Sequence, residues 1–345
     1  MRTFILITLL LLTLGSNRGE SQPPTSAISS EDSQRVAPSE SIEKPREQES
    51  LETVAGTNPF SLLNKTAGGT QCWTDHCWVE GYRIQQNSLT GHWRLLSKDN
   101  TRLTWGTRSH CEACLSERIA EAPSSPHPER VIVLVHGLMR SHHSMARLER
   151  DLKQRDDALI IRFSYASTRC SIRDHAAALR ELLERLPEET KISFVGHSMG
   201  NIVTRHLIGD LQRHGDAKNL LTRCESMVML GPPNQGAAIA RRLNSAGIFD
   251  VVTGKSCREL GADWDGLADH LATPPFPFAI VAGDLSSHPI QNPLVEGASD
   301  YVVSLEEAKL DGAEAFYTVP VLHSFLMKNE LARSFTIDFL ISHRS

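Results

Sequence analysis

The sequence predicts an α/β protein: a mostly parallel central sheet with helices on both faces, preceded by a small β-rich module. Three observations carry this. Arg130 to Val135 is an almost wholly apolar run of the kind that lies buried on both faces in a parallel sheet. From there the chain alternates short β-branched runs with amphipathic stretches, the pattern of βα units. At Lys191 to Gly200 one such run, KISFVGHSMG, breaks into Gly196-His197-Ser198-Met199-Gly200, a G-x-S-x-G turn from strand to helix.

That turn explains its own composition. It is so sharp that the serine takes a strained backbone conformation, and the residues two before and two after it must lack side chains to avoid collision. Gly196 and Gly200 meet that need. The Ser198 hydroxyl is then lifted clear of the sheet, and the helix beginning at Met199 turns a backbone N–H and its positive end toward whatever the serine attacks.

The chain opens with Met1-Arg2, an apolar run from Phe4 to Leu14 and then Gly15-Ser16. This has the charged start, short apolar centre and small-residue exit of a secretory signal over residues 1–16. The run is short for a membrane span, although an uncleaved anchor that touches the membrane stays open. The expected location is outside the cytoplasm: periplasm, envelope or medium. Residues 17–58 are rich in Ser, Glu, Gln and Pro and cannot bury enough apolar surface to offset chain entropy, so they read as a disordered linker. Residues 20–58 hold eight acidic and three basic residues, which equals the formal charge of −5 of the whole chain and leaves the remainder neutral. No basic footprint for nucleic acid exists.

Residues 59–121 carry the aromatic and alternating apolar residues of short strands, then Ser109-His110-Cys111-Glu112, a capping-box pattern opening a helix to about Ile119. The expectation is a β-β-β-α module whose Trp73, Trp78, Trp93 and Trp105 fill a thin core, rather than forming an aromatic binding face. Cys72, Cys77, Cys111 and Cys114 fit two disulfides, which an exported protein favours, or one zinc site, with unpaired thiols as the remaining alternative. Cys170, Cys224 and Cys257 are scattered, and seven is odd, so at least one thiol is free or paired between chains.

The main domain is expected over residues 122–345, after a Pro-rich joint at Ala122 to Pro128. Its further strands are Ala158 to Phe163, Ser226 to Leu230, Phe276 to Ala282 and Phe316 to Val321. Ser171 with Asp174 caps a helix whose Leu179, Leu182, Leu183 and Leu186 share a face and which Pro187 ends. Another helix follows Ser198 to about Arg213, and Leu331, Phe335 and Phe339 mark a closing amphipathic one. Gln235 to Pro275 is too long for a plain connection and is the place to expect a partial lid or substrate wall. Gly247 to Ser256 has six residues rather than four between its glycines and fails as a phosphate loop, and no H-E-x-x-H spacing occurs. Neither a metal nor a cofactor is read.

Serine is a weak nucleophile, so Ser198 calls for a histidine base and a carboxylate that fixes the imidazole tautomer. His323 lies just past the last strand, in VLHSF. His136 and His197 sit nearer the motif letters but belong to structural phrases. Two aspartates compete as the orienting acid. Asp284 stands at the C-terminal end of a strand, where open α/β sheets place functional residues, yet turn-forming residues follow it. Asp300 is followed by Tyr301-Val302-Val303, an apolar phrase able to bury the carboxylate, and is preferred.

These residues resemble the α/β-hydrolase superfamily and, within it, the small bacterial lipases and esterases related to Bacillus lipase A. The resemblance covers about residues 130–342: VLVHGLM, VGHSMGN, LGPPNQG, SDYVVSLEEAKLDGA and VLHSF. It implies the α/β-hydrolase fold, with Ser198 as nucleophile, Asp300 as orienter, His323 as base and the Leu138 and Met199 backbone N–H groups as the oxyanion hole. The activity it implies is cleavage of a carboxylic ester, lipid esters included, through an acyl-enzyme and without a cofactor. The region 60–120 has no counterpart in a minimal lipase, and 235–275 is longer than theirs, so substrate size does not transfer. The same three residues also suit an acyltransferase or a thioester or amide hydrolase, and a non-catalytic surface binding protein on this scaffold is the alternative from another class.

Overall fold

The computed structural model describes residues 65–66, 68–121, 127–237, 250–289 and 292–344. The signal-like segment, the linker, most of the Pro-rich joint and the middle of the 235–275 connection lie outside them.

The main domain is built on six strands: β5 (Arg130–Val135), β6 (Leu159–Phe163), β7 (Lys191–His197), β8 (Cys224–Leu230), β9 (Phe278–Gly283) and β10 (Ala315–Val319). They are all parallel, in the order β10-β9-β8-β7-β5-β6. Every residue of β5 and β9 is buried, as continuous apolar runs covered on both faces require. Arg130, at the start of β5, is buried against Asp156 at 3.0 Å and Glu225 at 2.9 Å, so its charge is fully matched.

Two apolar clusters flank the sheet. One joins α3 (Ile172–Glu184) and α4 (Met199–His214) to one face; the other joins α2 (Ala146–Arg155) and α9 (Glu330–Ser342) to the opposite face. The α3 start has the full capping box between Ser171 and Asp174, and Leu179, Leu182, Leu183 and Leu186 are buried as a set. In α9 the buried face is Ala332, Thr336, Ile337, Phe339 and Leu340, whereas Leu331 is more than half exposed, so the apolar stripe starts one residue later than the sequence suggested. Short helices α5 (Leu220–Arg223), α6 (Asp250–Leu260), α7 (Trp264–Ala268) and α8 (Leu305–Ala308) fill the connections.

The N-terminal module differs from expectation in four respects. It has four strands, not three: β1 (Trp73–Val79), β2 (Tyr82–Asn87), β3 (Trp93–Leu96) and β4 (Arg102–Gly106) form an antiparallel meander before α1 (Arg108–Glu121). The cap is Thr107, whose Oγ1 accepts from His110 N at 3.2 Å; Ser109 lies already inside the helix. The core is Cys77, Ile84, Leu95, Cys111 and Leu115, and of the four tryptophans only Trp93 packs against it. Trp73 lies under the Arg94 guanidinium at 3.8 Å, Trp78 packs on the main domain, and Trp105 is 62% exposed. None of the seven cysteines is in a disulfide, and Cys77 and Cys111 serve as small buried hydrophobes whose thiols burial pushes up to about 11. Among the described residues, no group of these thiols has the spacing of a metal site and no helix is long and apolar enough to cross a membrane.

The module is fastened to the sheet edge beyond β6. Asp75, fully buried, accepts from Ser164 N at 2.8 Å, while Asp75 N donates to Ser164 O at 2.8 Å. Burial raises the Asp75 carboxyl and neighbouring Arg83 counteracts it.

Candidate active site

The strand-to-helix turn after β7 sets Ser198 at φ 52° and ψ −124°, a conformation costly to any residue with a Cβ. Its neighbours explain why the strain holds. A Cβ on Gly196 would fall 2.1 Å from Asn201 Oδ1, and one on Gly200 would fall 2.3 Å from Val135 O, so neither position admits a side chain. Asn201, one turn into α4, ties the bend down by donating to Ser198 O at 3.0 Å and Leu230 O at 3.3 Å.

The structure brings Ser198, His323 and Asp300 together from three separate connections. His323 Nε2 lies 2.8 Å from Ser198 Oγ, and His323 Nδ1 lies 2.6 Å from Asp300 Oδ2. Imidazole and carboxylate are 3% and 1% exposed, so water does not compete for their bond. Asp300 is held by its own loop: Oδ1 accepts from Val302 N at 3.0 Å and Val303 N at 2.8 Å, leaving Oδ2 for the imidazole. Tyr301 takes φ 84° to make this bend, and Asn292 Nδ2 fixes its carbonyl at 2.6 Å. Close approach of the loop to the sheet needs Gly283, where a Cβ would sit 2.5 Å from Asp300 Cβ. Asp284 is elsewhere engaged: its Oδ1 accepts from Ser286 N at 2.8 Å as a turn residue.

The Gly137–Arg140 turn rests against the serine, since a Cβ on Gly137 would lie 3.1 Å from Ser198 Cβ. Leu138 follows Gly137 in this turn, and Met199 N opens the first turn of α4. The turn is strained at Met139, φ 56°. It is held from outside by Gln71, which donates to Arg140 O at 2.6 Å and accepts from Ser167 Oγ at 3.0 Å and Thr168 Oγ1 at 3.1 Å. Inside, the Tyr165 hydroxyl donates to His136 O, and the two rings stack 4.1 Å apart.

His136 and His197 take supporting places. His197 Nε2 donates to His323 O at 3.0 Å, steadying the residue that contacts Ser198. Burial, and then the neighbouring His323, hold His197 far below the usual imidazole range, and burial lowers His136 to about 4, so both rings stay neutral. Sequence reasoning did not find Gln71, Tyr165 or Asn292, whose roles exist only once distant segments meet. Asn201, three residues beyond the serine in VGHSMGN, was within reach of it.

Chemically, a hydroxyl, an imidazole and a buried carboxylate in hydrogen-bonded sequence can move a proton from Oγ to Nε2 as Oγ attacks an electrophile. A cleft of about 510 Å³ lined by Leu285, Asn292, Val295, Ser299 and Tyr301 lies behind the acid loop and includes neither Ser198 nor His323.

A family model described as "Domain of unknown function (DUF7379)" matches residues 95–270, which contain Ser198 and stop short of Asp300 and His323. No curated protein sequence matches. Among solved structures, Bacillus licheniformis lipase BlEst2 in its propeptide form is similar at 20% identity over 65% of this chain and 52% of that one, with a TM-score of 0.50. Its mature form is similar at 21% identity over 64% and 94%, TM-score 0.48. The lin2722 gene product of Listeria innocua is similar at 16% identity over 64% and 96%, TM-score 0.44. At such identities the likeness speaks to the fold, and the fold is that of the α/β-hydrolases.

Proposed function

The chain belongs to the DUF7379 family, and since that family is described as a domain of unknown function, we propose its chemistry from the site itself: a serine hydrolase that cleaves carboxylic esters through an acyl-enzyme. The observation that carries the reading is the unbroken run of hydrogen bonds Ser198–His323–Asp300 at 2.8 and 2.6 Å. Ser198 Oγ attacks the ester carbonyl while His323 Nε2 takes its proton. Asp300 holds the Nδ1–H tautomer and stabilises the imidazolium that forms. The tetrahedral oxyanion falls to the N–H groups of Leu138 and Met199, a contribution of a few kcal/mol for each donor. His323 returns the proton to the leaving alkoxide, and a water activated by the same imidazole releases the acid.

The same imidazole can protonate an alkoxide, thiolate or amine leaving group, so a thioester or amide hydrolase shares this machinery and the ester reading rests on the lipase-like phrases of the sequence. A lipase A-like preference for lipid esters belongs to the same proposal and rests on the phrases VLVHGLM and SDYVVSLEEAKLDGA. A fluorophosphonate probe tests the nucleophile: it labels the native protein at Ser198 and leaves Ser198→Ala unlabelled. A panel of p-nitrophenyl esters of rising chain length, with water or alcohols as acceptors, then separates hydrolase from acyltransferase. A folded protein that neither reacts with the probe nor turns over any ester refutes the reading.

A further inference from the structure

Two turns along the helix that begins at Ser198, α4 carries a second group of polar side chains that the proposed reaction does not use. His206 and Asp210 stand at i and i+4, hence on one face. The connection after α7 crosses that face and brings His270 over it. One donor atom from each of the three residues lies within 4.8 Å of the others.

Three observations set this apart from an ordinary helical ion pair. His206 is 3% exposed, and its Nδ1 and Asp210 Oδ2 lie 3.0 Å apart, close enough to serve one ion from a buried position. The other carboxylate oxygen, Asp210 Oδ1, faces His214 at 3.6 Å and Arg213 at 3.9 Å, on the side away from Oδ2 and His206. The crossing segment is also clamped in place. Arg205 Nε donates to Ala272 O at 2.9 Å, Arg213 donates to Asp269 O at 3.1 Å and His270 O at 2.5 Å, and a Cβ on Gly209 would fall 2.2 Å from His270 O. His270, stacked on His206 with ring centroids 5.6 Å apart, is the exposed member of the three.

We propose that His206, Asp210 and His270 bind a divalent transition-metal ion of the zinc type, which staples the helix of the nucleophile to the segment leading into β9. Two imidazoles and one carboxylate are the borderline donors such ions take, and three protein ligands leave a position for water. The ion would lie about 12 Å along the helix from Ser198, at 1.5 Å per residue, so its role is structural.

The test uses the full chain after dialysis against a chelator, titrated with zinc by calorimetry, beside His270→Ala, Asp210→Asn and Cys114→Ser. The expected result is one ion per chain bound with a micromolar or tighter Kd, and a melting temperature raised by roughly 5 °C or more at a hundredfold excess over Kd. Affinity should fall at least tenfold in His270→Ala, whose exposed side chain the fold does not need, and in Asp210→Asn, and stay unchanged in Cys114→Ser. Cobalt substitution should give visible absorption that His270→Ala abolishes. Absence of binding below about 100 μM overturns the proposal, as does binding that His270→Ala leaves intact or that Cys114→Ser removes, which would place the ion on the module's thiols. Ester turnover is not the readout, so this site and the proposed activity fail independently.

Discussion

Replacing Asp300 by asparagine is the sharpest test of how the site works, because the structure dictates how the new amide must lie. Asp300 Oδ1 accepts from the backbone N–H groups of Val302 and Val303, the first bond part-buried and the second buried. An asparagine keeps its oxygen there, since turning the amide over leaves these two N–H groups unpaired at about 1–3 kcal/mol each. The NH2 group then takes the place of Oδ2, 2.6 Å from His323 Nδ1, and donates to it. Nδ1 becomes an acceptor, the ring proton moves to Nε2, and Nε2 faces Ser198 Oγ with a hydrogen where it needs a lone pair. Restoring the working tautomer costs roughly 2–6 kcal/mol for the amide flip, and the imidazolium formed during attack has lost its counter-charge. The expected fall in kcat is about 10³ to 10⁴, or roughly 4–5.5 kcal/mol, with little change in KM or fold. Asp284→Asn should cost less than about tenfold, because the amide oxygen still accepts from Ser286 N. The assay is steady-state hydrolysis of a short p-nitrophenyl ester, beside the rate of fluorophosphonate labelling and a thermal melt. If Asp300→Asn keeps kcat within tenfold while folded, or if the two variants exchange behaviours, the tautomer argument is wrong.

Two further outcomes are expected from the surroundings of the site. Gln71→Ala removes the hydrogen bond to Arg140 O that fastens the Gly137–Arg140 turn and the two from Ser167 and Thr168 that hold Gln71 itself; a displaced turn should lower kcat by roughly 10- to 100-fold, below the full loss of one oxyanion donor, while KM stays within about threefold, and an unchanged kcat would show that the turn holds itself. His175 has both ring nitrogens buried and unpartnered, and burial depresses it to about 3, so the unfolded chain takes up a proton below about pH 6.5 that the native state refuses. Stability from this residue is therefore full above pH 6.5 and lost as pH falls below it, at up to about 1.4 kcal/mol per pH unit. His175→Leu should flatten the fall in urea midpoint between pH 7 and pH 5 and raise stability at the acid end; a variant as pH-sensitive as the native chain refutes the assignment.

Much of the fold and site was legible in the sequence where the physics is local. The bend at Ser198 demands glycines within two residues, and the buried β5 and β9 announce themselves as unbroken apolar runs. That Asp300, and not Asp284, meets His323 was readable from the residues after each, an apolar phrase against turn formers. Legibility fails where position depends on meeting a distant segment. Thr107 rather than Ser109 caps α1 because the strand of β4 delivers the chain there, and a capping-box pattern two residues along fits equally well by composition. Three of the four tryptophans were misplaced because residue size suggested a core: Trp93 does pack on Cys77, Ile84 and Leu95, but Trp73 lies under Arg94, Trp78 packs on the main domain and Trp105 is exposed. The expected disulfides rested on the inferred export, and the structure instead uses two of those sulfurs as core atoms.

The docking of the module bears on why this chain carries more than a sheet and its helices. An oxyanion turn needs to be rigid before substrate arrives, because donors that must reorganise lose their advantage at the moment of reaction. Here the turn is strained at Met139 and cannot be held by sheet bonds, since it lies past the end of β5. Its carbonyl at Arg140 is bonded by Gln71, a residue of the segment that enters β1, and that segment is itself fixed by the paired bonds between Asp75 and Ser164. The module thus reaches Ser198 through one short path: Asp75 at the sheet edge, Gln71 four residues earlier, then the turn that touches the serine. A module that only shielded the edge of β6 would need the Asp75 contacts alone. The additional bond to Arg140 O is what makes it part of the site.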